Sequence, residues 1–149
     1  VGDLSVLLSS GITCNFFHLK FMLTEVTSGV QIIVEPRYEP GLSSPMLEQF
    51  LFSYHIVIRN HNDYPVQLMR RHWFIFDSFA VKREVEGPGV VGEFPIIAPG
   101  ASFDYHSACD LRSMRGTMKG FYSMKNMENE VTFRVNIPQF KMEVPFSMN

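Results

Sequence analysis

The sequence predicts an all-β protein, a sandwich or barrel of short antiparallel strands. Three observations predict it. Apolar and polar residues alternate with a period of two in many separate segments. Turn chemistry rich in glycine, proline, asparagine and aspartate divides those segments. No window of about a dozen residues carries the period of an amphipathic helix. The apolar faces of such strands would pack as two sheets about 10 Å apart.

Residues 1–22 do not share the pattern. The early charge is Asp3 and the apolar run Leu4–Leu8 is short and contains Ser5; a secretory signal wants a basic start and a longer apolar core. These residues are expected to lie outside the fold, with Met22 as the native first residue and residues 23–149 forming one domain. Val30, Ile32 and Val34 then alternate with Gln31 and Glu35 as a half-buried strand. Tyr38 to Pro45 is turn and loop. Phe50, Phe52, Tyr54, Ile56 and Ile58 make the clearest strand, ended by the polar turn Asn60 to Pro65.

Val66 to Phe76 reads as a strand whose phase breaks. Val66 and Leu68 lie on one face, Trp73 and Ile75 on the other, and a bulge near Arg70–His72 would reconcile them. Val81 to Glu86 reads as an edge or surface strand. Phe94–Ala98, Phe103–Ser107 and Thr117–Met124 follow, then the turn Asn126–Asn129, then alternation from Val131 to Ile137 and again from Phe140 to Phe146.

Arg83 to Gly100 is the stretch with the most to say. Gly87, Gly89 and Gly92 spell G-x-G-x-x-G, which binds a pyrophosphate when a helix leaves the glycines. Here Pro95 and Pro99 follow, and each removes a backbone N–H and drives its predecessor out of the helical region. The motif is therefore read as a turn between strands, carrying Val90 and Val91 as an apolar pair expected at the surface. It could bind a ligand, bind a partner, or only bend the chain.

Composition narrows the classes. The chain is 46% hydrophobic and 19% charged with a net charge of −2, which gives no electrostatic case for nucleic acid or an anionic membrane. The apolar runs fall far short of the ~20 residues of a membrane span. Two cysteines, Cys14 and Cys109, make no disulfide framework in a chain this size, so a reducing, cytoplasmic setting is expected.

No catalytic residue, metal or cofactor is assigned. His106-x-x-Cys109-Asp110 lacks a second ligand pair and reads as a turn after a strand with a half-buried cysteine. Metal binding through His106 and Asp110 is the weaker alternative. Ser107 and Cys109 are not placed as nucleophiles, because strand neighbours point to opposite faces. A phosphate-containing ligand could sit in a nest of N–H groups over Gly87–Gly92, with charge from Arg70, Arg71, Lys82 and Arg83; Glu84, Glu86, Glu93 and Pro88 oppose it. A protein partner is the other option, since Trp73, Phe74, Phe76, Val90, Val91, Phe94 and Ile96 cannot all be core. Exposed strand edges also admit a homodimer.

An ordered series of motifs resembles the ApaG family. It runs through Asn60, Pro65–Leu68, Arg71-His72-Trp73, Glu84–Gly92, Ala98-Pro99-Gly100, Tyr105-His106-Ser107, Gly116–Gly120, Ile137–Phe140 and Val144-Pro145-Phe146. The resemblance spans about residues 23–149. It implies an immunoglobulin- or fibronectin-type-III-like β-sandwich of two antiparallel sheets. It also implies a non-enzymatic protein linked to cobalt resistance and magnesium efflux, and a domain that elsewhere looks like a partner-binding module. This chain departs from the family in having Pro88 where an acidic residue is common, and Asp77–Ala80 in place of a glycine turn. The expected working surface is the turn Gly87, Gly89, Val90, Val91 and Gly92 with Arg70 and Arg71 nearby.

Overall fold

Period-two segments form strands, and each strand buries its apolar face by pairing within a sheet and stacking on a second one. The computed structural model describes residues 22–79 and 82–146. Its strands are β1 (Leu23–Thr27), β2 (Val30–Tyr38), β3 (Phe50–Asn60), β4 (Val66–Asp77), β5 (Arg83–Pro88), β6 (Ile96–Ile97), β7 (Ser102–Leu111), β8 (Arg115–Asn126) and β9 (Thr132–Glu143). One sheet runs β1-β2-β3-β7. The other runs β5-β4-β8-β9, with β6 also on β4. Every pairing is antiparallel. The all-β sandwich is as the alternation predicts. None of the described helical segments is long and apolar enough to cross a membrane. Of the expected extension, only Met22 falls among the described residues.

The core lies between the sheets. Val30, Ile32, Val34, Phe52, Ile56 and Ile58 face Leu68, Trp73, Met118, Tyr122, Met124 and Phe140. Each such side chain contributes about 1.5–3 kcal/mol when fully buried. β1 was not foreseen, because none of its five residues is buried and no clear face shows in its sequence.

Both phase breaks are bulges. On β4 the register against β8 shifts between Leu68 and Arg70, just before the position expected. Val66 and Leu68 are buried before it, Trp73 and Ile75 after it. β9 is one continuous strand rather than two, and its register against β8 shifts opposite Met118–Gly120, which places Pro138 at the irregularity. β9 is also the last strand of its sheet. A proline lacks the ladder N–H, so bulges and sheet edges are where it fits.

β5 and β6 share one edge of β4. β6 pairs with Val66 and Gln67, β5 with Arg70 to Ile75. The chain between them, residues 89–95, crosses the β4 bulge. That crossing carries the glycine-rich turn.

Candidate functional site

The turn is a tight hairpin, not the start of a helix. Val90 and Glu93 exchange both backbone bonds, at 2.9 Å (Val90 N–H to the Glu93 carbonyl) and 2.8 Å (the reverse). Val91 and Gly92 between them have φ of 46° and 78°. Two consecutive positive φ angles are the mark of a type I′ turn, whose twist matches that of a β-hairpin. Gly89 donates at 2.9 Å to the carbonyl of Met69 inside the β4 bulge, and Leu68 donates at 3.1 Å to Pro95. Gly89 has φ 58°, and a Cβ there would lie 2.3 Å from the Glu93 carbonyl oxygen. Only glycine closes this crossing. Gly87 is different: it belongs to β5.

The expectation that Val90 and Val91 form an exposed pair is corrected. Val90 is buried at 1% exposure and packs in the core, while Val91 is 55% exposed. Val90 flanks the turn and is laid inward by the crossing, whereas Val91 sits at its tip with a positive φ and projects outward.

Of the two arginines expected near the turn, Arg71 reaches it and Arg70 does not. Arg70 faces outward, 3.7 Å from Glu86. Arg71 pairs with buried Tyr122 across the ladder and points into the gap between the sheets. Its Nη1 donates at 2.9 Å to the carbonyls of both Pro88 and Gly89. Its guanidinium covers Gly87, where an added Cβ would lie 3.2 Å from Nη1. Arg71 thus clamps the hairpin from below through its oxygens. Among the described residues no carboxylate pairs with it. Burial raises the hydroxyls of Tyr54, Tyr105 and Tyr122 above the usual phenol range, and the Arg71 charge partly offsets this.

Above the clamp the surface is apolar. Val91 and Phe94 stand out, as does Ile96 at 59% exposure. The rest of the expected apolar set divides. Trp73 is core. Phe74 and Phe76 are half-buried on the outward face of the sheet. There Lys82 and Lys119 lie 5.0 and 5.9 Å from the Phe76 ring, and His72 stacks between Phe74 and Phe121.

Cys109 is not in a turn after a strand. It lies within β7, buried, because β7 runs on to Leu111. Burial pushes its thiol up to about 11, against the pull of Arg83, so it is a neutral thiol at neutral pH. Arg83 reaches it from β5 at 3.4 Å and also bonds Asp110 at 3.2 Å. His106 and Asp110 sit on the opposite, outward face of the same strand. Sequence reasoning missed the role of Arg71 as a clamp. The Arg71-His72-Trp73 run placed it beside the turn, but the β4 bulge decides that it faces inward.

The ApaG domain model matches residues 40–126. The ApaG protein of Sinorhizobium fredii is 40% identical over 124 residues, covering 83% of this chain and 95% of that protein. The ApaG protein of Methylobacterium nodulans is 42% identical over 119 residues, covering 80% and 91%. Among solved structures, the ApaA protein of Bordetella pertussis superposes with a TM-score of 0.75 at 40% identity, covering 78% of this chain and 94% of that one. With the family model spanning more than half of the sequence and such relatives spanning most of it, the chain belongs to the ApaG domain family.

Proposed function

We propose that this ApaG-family chain is a non-catalytic, cytoplasmic binding module whose working surface is the apolar rim of the hairpin: Val91, Phe94 and Ile96. One observation carries the reading. The hairpin's backbone is tied by its own Val90–Glu93 pair and by bonds to β4, and it turns large apolar side chains to solvent. A rigid loop presenting apolar groups suits a protein surface with an apolar centre, since little entropy is lost on docking. Exposed Glu93 in the turn favours a partner with basic groups around that centre. Any influence on cobalt resistance or magnesium efflux, which the family resemblance implies, is then indirect.

The test compares the folded chain with Val91→Asp/Phe94→Asp in affinity capture, followed by titration of any captured protein. The paired substitution should weaken that protein's binding by about tenfold or more, with circular dichroism and melting unchanged. An identical set of captured proteins at equal affinity would overturn the reading.

A phosphate-containing ligand is the second reading. It is favoured by Arg71 having no carboxylate partner among the described residues. The same arginine argues against it, because its Nη1 is turned to loop carbonyls. Calorimetry with pyrophosphate, ATP and dinucleoside polyphosphates should show no heat; micromolar binding lost on Arg71→Gln would establish the second reading instead.

A further inference from the structure

We propose that the outward face of the first sheet carries a site for one borderline divalent metal ion, held by His55, Asp104 and His106. β3 and β7 pair so that His55 lies directly opposite His106, with Asp104 two residues before it on the same face. The donor atoms of the three side chains all lie within 4.8 Å of one another. His55 Nε2 is 2.8 Å from Asp104 Oδ2. The two imidazoles stack with centroids 4.3 Å apart at 12°.

The spacing suits a shared ion. A tetrahedral ion with bonds of about 2.0–2.1 Å holds its donors roughly 3.4 Å apart. The closest pair here opens slightly and the widest closes by torsion of Asp104 and His106, which are exposed. What the ion must displace is small. The His55–Asp104 contact is solvent-exposed, with the Asp104 side chain at 62% exposure, and such pairs contribute little.

Donor chemistry sets the class of metal. Two imidazoles and one carboxylate suit borderline ions such as zinc, iron(II), nickel or copper(II). Magnesium and calcium prefer oxygen ligands throughout. Three protein donors leave a position for water. The site is on the other sheet from the hairpin and stands independently of the partner-binding reading.

Tag-free protein is titrated with zinc chloride and separately with magnesium chloride by calorimetry. One equivalent of zinc should bind, and magnesium should give no heat. Loss of a neighbour that merely orients a ligand costs about ten- to a hundredfold in metal affinity, so His55→Ala and His106→Ala should each cost at least tenfold. His61→Ala and His18→Ala should leave binding unchanged. Side-chain nitrogen spectra of the unsubstituted protein supply a measurement that no folding defect can confuse: zinc should shift the ring nitrogens of both His55 and His106. Absence of zinc binding, binding that survives the double substitution, or unshifted rings would each overturn the assignment.

Discussion

Val91 holds a conformation its side chain disfavours. Its φ of 46° lies in the left-handed region, where a β-branched residue is an outlier. The cost is about 1–2 kcal/mol. The two-residue loop of a type I′ turn is suited to Asn-Gly, and here it is Val91-Gly92. Val91→Asn should therefore raise stability by about 1 kcal/mol, read as a higher urea midpoint at unchanged slope. On the proposed function the same substitution should also weaken partner binding. A stability gain with a binding loss would show that valine is kept for its exposed surface. At this scale the sequence was partly legible. The prolines after Gly92 correctly argued against a helix, and glycine marked the positive φ at Gly89 and Gly92. The opposite fates of Val90 and Val91, and the inward aim of Arg71, depend on the crossing over the β4 bulge, which residue types do not encode.

Asp77 shows what one side chain does for whole elements. It ends β4, and its carboxylate accepts the Arg112 N–H at 2.6 Å and the Ser113 hydroxyl, both in the connection between β7 and β8. The Ser113 hydroxyl in turn accepts the Ser78 N–H at 3.2 Å. Burial alone would raise this carboxyl, but the hydrogen bonds from Ser113 and from the Arg112 and Phe79 amides, with the Arg83 charge, hold it below the ordinary aspartate value of 3.8. A depressed folded value means stability that is present above the unfolded pKa and lost as pH falls through the folded one. Asp77→Asn should destabilise the protein by about 1–2 kcal/mol at pH 7. The deficit should shrink below about pH 4, where the unfolded chain's carboxyl begins to take up protons, until pH falls through the lower folded value. A deficit constant down to pH 2 would assign the loss to packing rather than charge. Element boundaries were readable wherever a single face is buried, as in β3. β9 was read as two pieces because Pro138 and a change of phase look like a break in sequence. In the sheet they are a bulge on the last strand.

The whole molecule rests on two sheets meeting, and there the sequence is least informative. Alternation identifies strands but not their partners: nothing in the segments around His55 and His106 says that β3 lies beside β7. Nor does it say that Tyr105 on one sheet meets Tyr122 on the other. Their hydroxyls are 2.5 Å apart and buried, with Tyr122 fully enclosed. Tyr54 packs close to Trp73 and Phe140 in the same layer, with centroids 5.5 and 5.7 Å apart. The tyrosine pair is a buried polar contact that joins one sheet to the other. Removing one hydroxyl strands its mate away from water, at about 1–3 kcal/mol, whereas removing both leaves two apolar rings of nearly the same shape. Tyr105→Phe and Tyr122→Phe should each lower the unfolding free energy by that amount, and the double variant should lose clearly less than their sum. The coupling is read from a double-mutant cycle in urea. Strict additivity would mean that the hydroxyls find other partners, and that apolar packing alone sets how the two layers align.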